Sequence, residues 1–151
     1  MKTYNRTHVL DVIKKHGVLP HTICLMDNEY VYIDEVAAVK FFSSLSEQVI
    51  SLLNGWKAEY CDCDKFSRIV QALGLAAHAT QWAAQQAKPA GITLGVFNYP
   101  RSNNRGGHSI NFIITKAPGA EAFRMRFFEP QTGKEVILEP DEIKRAFAVL
   151  L

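Results

Sequence analysis

The sequence predicts an α+β fold, with N-terminal helices packed on a C-terminal antiparallel sheet. Three observations predict it. In the first half, apolar residues recur at helical spacing, most clearly at Phe66, Ile69, Val70, Leu73 and Ala77. Beyond Pro89 the pattern changes to short runs of β-branched and aromatic residues divided by turn-forming stretches. The chain has 151 residues, the size of one domain, so helices and strands are expected to share one core.

Each element has its own signal. Thr7 to His16 places Val9, Leu10 and Ile13 on one helical face, and Gly17 is a natural stop. Glu29 to Asp34 reads as a short strand. Asp34 then caps a helix from Glu35, with Val36, Val39, Phe42 and Leu45 as its apolar face. Ser43-Ser44 predicts a break in it, and a further helical piece through Val49 to Leu53 ends at Asn54-Gly55. The next helix begins after Asp62 and extends toward Ala87, with Gly74 weakening it by about 1 kcal/mol. Four strands follow, Ile92 to Asn98, His108 to Thr115, Phe123 to Glu129 and Glu135 to Leu138. Pro100 to Gly107 is a polar turn, and Pro130-Gln131-Thr132-Gly133 is a tight one. Pro140 opens a last helix with Ile143, Phe147 and Leu150 on one face. The linkers are short, so residues 1–151 read as a single domain.

Composition excludes several function classes. The chain is 48% hydrophobic and 21% charged, which argues against disorder. Its net charge is only +2, without the basic stripe of a nucleic-acid binder. Of the three cysteines, Cys61 and Cys63 stand too close for a relaxed bridge, and Cys24 reads as packing. Free thiols in a reducing compartment are the expectation. Met1 to Val18 has no apolar core of a signal peptide, and no run reaches the ~18 apolar residues of a membrane span. Together these predict a cytoplasmic protein with no membrane or nucleic-acid partner.

Three segments carry potential chemistry. In Tyr60-Cys61-Asp62-Cys63-Asp64-Lys65-Phe66, Asp62 is a natural N-cap and Cys63 falls in the first helical turn. There the helix dipole and free N–H groups favour a thiolate, the form a cysteine nucleophile needs. Asp62 and Asp64 oppose this by their charge. A capped helix with a buried cysteine is the plainer alternative. In Gly106-Gly107-His108-Ser109-Ile110-Asn111-Phe112, His108 opens a strand beside a flexible glycine pair, either facing a cleft or as a simple turn residue. In Phe127-Phe128-Glu129-Pro130-Gln131-Thr132-Gly133, Glu129 ends an apolar strand, either as an edge carboxylate or as the partner that orients His108. A zinc set of Cys61, Cys63, His78 and His108 lacks the usual ligand spacing. Arg101 and Arg105 fit a solvated turn, and Trp82 fits helix packing.

Taken jointly, a cysteine on a helix start, a histidine on a strand and an acid on the next strand follow the chain order of papain-like peptidases. The sequence resembles the papain-like cysteine peptidase domains of the Marasmius oreades agglutinin type and their bacterial and phage relatives. The resembling stretches are Cys63 to Phe66, Gly107 to Phe112 and Phe127 to Glu135, with Trp56 also matching a tryptophan of that domain. The resemblance spans residues 56–135.

The resemblance implies a papain-like cysteine peptidase fold and a thiol hydrolase acting on peptide or isopeptide bonds of a peptide or protein substrate. Cys63 would be the nucleophile, His108 the general base and later acid, and Glu129 the histidine's orienter. Papain-like enzymes place an oxyanion glutamine shortly before the cysteine. None lies between Asn54 and Cys63, so Gln131 and Trp56 become the substrate and oxyanion candidates. The resemblance also links the domain to divalent cations, but no ligands match residue by residue, so no cofactor or metal residue is assigned. Two alternatives stay open: an inactive papain-like interaction or structural module, and a hydrolase of cell-wall peptides. The sequence does not assign an oligomeric state.

Overall fold

The computed structural model describes residues 2–53, 63–84, 90–102, 105–119 and 122–151, with side chains of the second stretch described up to residue 80. The expectations for Trp56, Cys61, the Asp62 cap, Asn54-Gly55 and the Trp82 side chain therefore lie outside the described residues.

The chain opens with β1 (Tyr4–Asn5), α1 (Arg6–Lys15), β2 (Ile23–Cys24), β3 (Glu29–Val31) and β4 (Ile33–Asp34). Then come α2 (Glu35–Leu52), α3 (Cys63–Ala84), β5 (Gly91–Ile92), β6 (Leu94–Pro100), β7 (Gly107–Lys116) and β8 (Phe123–Glu129). The chain closes with β9 (Lys134–Val136), α4 (Pro140–Lys144) and β10 (Ala148–Leu150). The fold is α+β, with four helices among the described residues and mixed sheets.

The larger sheet has the order β2-β10-β6-β7-β8-β9, and β4 adds to β7. The smaller sheet is β1-β3-β5. The β6–β7–β8–β9 part is antiparallel, as expected. The whole sheet is not. β2 runs parallel to β10, and β4 runs parallel to β7. Both parallel strands come from the N-terminal part of the chain, whose two-residue strands are too short to show a period in sequence.

β7 is buried from His108 to Thr115 and divides the core. Its Ile110, Phe112 and Ile114 join Phe97, Phe127, Val9, Val12 and Ile13 on the α1 side. Its Ile113 joins Phe42, Leu45, Phe66, Val70 and Phe128 on the α2–α3 side. Helices thus cover both faces, which is why the strand reads as a nearly unbroken apolar run.

Two local expectations change. α2 is continuous through Ser43-Ser44. Ser43 Oγ donates to the Gly133 carbonyl at 3.2 Å, and Ser46 Oγ donates to the Pro130 carbonyl at 2.6 Å. These serines dock the helix on the tight turn and do not break it. The last helix stops at Lys144, and the chain returns as β10, with Val149 opposite Phe97. The helical spacing of Ile143, Phe147 and Leu150 was accidental: Phe147 is 60% exposed, while strand pairing covers the open edge of β6. Asp34 does cap α2, accepting from the Val36 and Ala37 N–H groups at 2.9 and 3.1 Å.

Gly95 on β6 has no room for a side chain, because a Cβ there would run into the Phe112 ring and the Leu150 carbonyl. The carbonyl belongs to β10 backbone and has little freedom to move. Gly95→Ala is expected to cost about 1–3 kcal/mol by overpacking, read as a lower midpoint in urea unfolding.

Candidate active site

His108 is the second residue of β7, opposite Tyr99 of β6, and it is only 7% exposed. A buried imidazole must place both ring nitrogens. Nε2 meets Glu129 Oε2 at 2.8 Å. Nδ1 is buried and has no hydrogen-bond partner among the described residues. A carboxylate only accepts, so Nε2 carries a proton, and in the neutral imidazole Nδ1 carries the free lone pair. This is the tautomer a general base requires.

Glu129 is the last residue of β8 and is held from several sides. The Gln131 N–H approaches its Oε1 at 3.5 Å. The Glu129 carbonyl accepts from the Gly133 N–H at 2.9 Å, closing the turn. Gly133 has φ +69°, and a Cβ there would sit 3.2 Å from Ser43 Cα. Glycine is thus required both by conformation and by the close approach of α2. The Ser46 bond to Pro130 secures the same turn. Across β8 and β9, Arg126 forms a two-pronged pair with Glu135, at 2.7 and 2.5 Å. The side-chain bond to Glu135 raises the Arg126 pKa over the opposing effect of burial.

Cys63 is the first described residue of α3 and is half-buried, with a free thiol. Its helix is fixed beside the start of β7. Ser67, one turn on, meets Ser109 Oγ at 2.7 Å. Asn111 Nδ2 donates to the Ser67 carbonyl at 2.9 Å and to the Gly95 carbonyl at 3.0 Å. The nucleophile candidate and the histidine are therefore carried by elements joined within one helical turn of the thiol.

Tyr99 packs edge-on against the His108 ring, with centroids 5.9 Å apart. Burial pushes its hydroxyl up to about 12. The Glu142 charge adds to this and Arg101 opposes it, while Glu129 and Cys63 add further.

Of the residues singled out from sequence, His108 and Glu129 are in direct contact and Cys63 lies on the adjoining helix start. Gln131 sits in the turn, with its backbone directed at Glu129. Trp56 lies outside the described residues. His78 meets the Ala90 carbonyl at 3.0 Å. Among the described residues, no three His, Cys, Asp or Glu side chains stand together to hold a cation. Cys24 is exposed, with its thiol 3.8 Å from Met26 Sδ, so it is not the packing residue its sequence context predicted. Sequence reasoning missed Tyr99, Ser67, Ser109 and Asn111. Their one visible signal was polarity at alternate positions of an apolar strand, Ser109 and Asn111.

No protein-family model and no curated protein matches the chain. Solved structures do. PSL1a in complex with E64 superposes with a TM-score of 0.68 at 18% identity, covering 99% of this chain and 51% of that one. The Polyporus squamosus lectin bound to the human-type influenza-binding epitope Neu5Acα2-6Galβ1-4GlcNAc gives 0.66 at 19% identity, covering 99% and 49%. The chain spans about half the length of these structures, and the likeness is one of fold.

Two outcomes follow from the site's geometry. Glu129→Ala leaves a buried N–H unpaired and is expected to cost about 1–3 kcal/mol in urea unfolding, whereas Glu129→Gln, which keeps an acceptor, costs less. A tyrosine pKa raised on folding adds stability that is complete below pH about 10 and is lost as pH climbs toward 12. Tyr99→Phe should therefore reduce the loss of stability measured between mildly and strongly alkaline buffer.

Proposed function

We propose that this protein is a papain-like thiol hydrolase that cleaves peptide or isopeptide bonds by acyl transfer. The observation that carries the reading is the His108 imidazole, bound to Glu129 through Nε2 and left with a buried Nδ1 that has no partner among the described residues. A histidine with a purely structural role would be expected to use both nitrogens.

In this reading His108 Nδ1 takes the thiol proton of Cys63, and Sγ attacks the substrate carbonyl carbon. The oxyanion is met by the Cys63 backbone N–H at the helix start, with Gln131 and Trp56 as further candidate contacts. His108 returns its proton to the leaving amine. Water, deprotonated by the same nitrogen, then attacks the thioester, and Sγ leaves. Glu129 stays ionised throughout and holds the imidazole in one tautomer. The likeness to PSL1a, whose structure is a complex with E64, fits a site of this kind.

The second reading is a non-catalytic interaction module. It is favoured by the lack of a glutamine between Asn54 and Cys63 and by the likeness to a lectin. Thiol labelling separates the two, with the exposed Cys24 as an internal control. A hydrolase is expected to alkylate at Cys63 with iodoacetamide at pH values well below the ordinary thiol range of about 8.5. It should also take up one E64, an epoxide that alkylates thiolates, at Cys63 alone. Cys63→Ala and His108→Ala should each lower hydrolysis of casein by about 10³-fold or more. Slow labelling of Cys63 at the Cys24 rate, without an E64 adduct, would favour the module. Cleavage of peptidoglycan peptides in place of casein would move the substrate to cell-wall cross-links.

A further inference from the structure

Two buried serines stand between the nucleophile's helix and the histidine's strand. Ser67 Oγ donates to the Asp64 carbonyl at 3.0 Å, and Asp64 directly follows Cys63. A hydroxyl has one proton, so Ser67 can only accept from Ser109, whose Oγ lies 2.7 Å away. Ser109 directly follows His108. The direction of the chain is thereby fixed: Ser109 O–H to Ser67 O–H to the Asp64 carbonyl.

Packing alone does not call for these groups. The surroundings on that face are apolar, with Phe66, Val70, Ile113 and Phe128 all fully buried. Alanine at residue 67 would suit a helix better than serine. Replacing both hydroxyls by apolar groups leaves the strand and helix backbones paired as before, so their loss need cost little stability. What the pair adds is direction. Asn111 reinforces it by tying the Ser67 carbonyl to the Gly95 carbonyl through one amide.

We propose that Ser67 and Ser109 are positioning residues, two hydroxyls in series that tie the residue after Cys63 to the residue after His108 and so set the thiol against the imidazole. The proposal rests on the thiol-hydrolase reading and names what holds its two reacting groups in register. Misplacement by about 1 Å can cost about 100-fold in rate. The lost bond should therefore appear in thiol reactivity well before it appears in stability.

The test is the pH profile of Cys63 alkylation by iodoacetamide in the intact chain, for the parent, Ser67→Ala, Ser109→Ala and the double variant, with Cys24 labelling as control. Each single variant is expected to slow Cys63 about tenfold at low pH and to move its profile toward that of Cys24. The double variant should be no slower than either single one, because both remove the same link. Cys24 should not change. Folded variants that alkylate Cys63 at the parental rate would overturn the proposal and leave the hydrolase reading standing. Losses that multiply in the double variant would overturn the series arrangement. A parental Cys63 no more reactive than Cys24 would remove the hydrolase reading and this proposal with it. If Ser109→Ala does not fold, Ser67→Ala decides alone, since alanine is the best helix former.

Discussion

Most polar groups on a strand buried on both faces need a partner inside the protein, and β7 is such a strand from His108 to Thr115. Its polar side chains therefore dictate what packs around it. Ser109 and Asn111 require partners on the α3 side and find them in Ser67 and the Gly95 carbonyl. His108 requires a partner at the strand's start and finds Glu129 on β8. The position of α3, the turn after β8 and the orientation of the imidazole all follow from this one strand. The helix α2 then completes the support, since Ser43 and Ser46 hold the turn that presents Glu129.

Much of this was legible because the longer elements carry their own period. Phe123 to Glu129 alternates, ends at a turn with glycine at its positive-φ position, and forms the strand expected. α3 is described from Cys63, within the helix expected there, and its Phe66 and Val70 reach the core. The errors have a common cause. The two-residue strands β1 and β2 are set by pairing with distant partners and leave no local pattern. Ala148 to Leu150 read as helix because three apolar residues happened to share a helical spacing, and the open edge of β6 decided otherwise. Ser43-Ser44 read as a break because serine hydroxyls compete with helix backbone, but here they bond to another element.

The contact between His108 and Glu129 was legible, and the bonds around it less so. Histidine followed by acid on adjacent strands was enough to expect the His108–Glu129 contact. Nothing local, however, marks Tyr99 as the ring against His108 or Ser67 as the partner of Ser109, because both relations cross between elements. The solved structures that share the fold match nearly the whole chain at 18–19% identity, so backbone architecture is shared while most side chains differ. The functional reading therefore depends on the individual atoms at the start of β7, and on the unused nitrogen of His108 above all.

That nitrogen is open to direct measurement. A ¹⁵N spectrum of the imidazoles should show His108 protonated on Nε2 with a bare Nδ1 in the neutral form. The Nδ1 resonance should shift when Cys63 is replaced by alanine, because the proposed mechanism makes the thiol its proton partner. A proton found on Nδ1, or an Nδ1 signal indifferent to the loss of Cys63, would contradict the account.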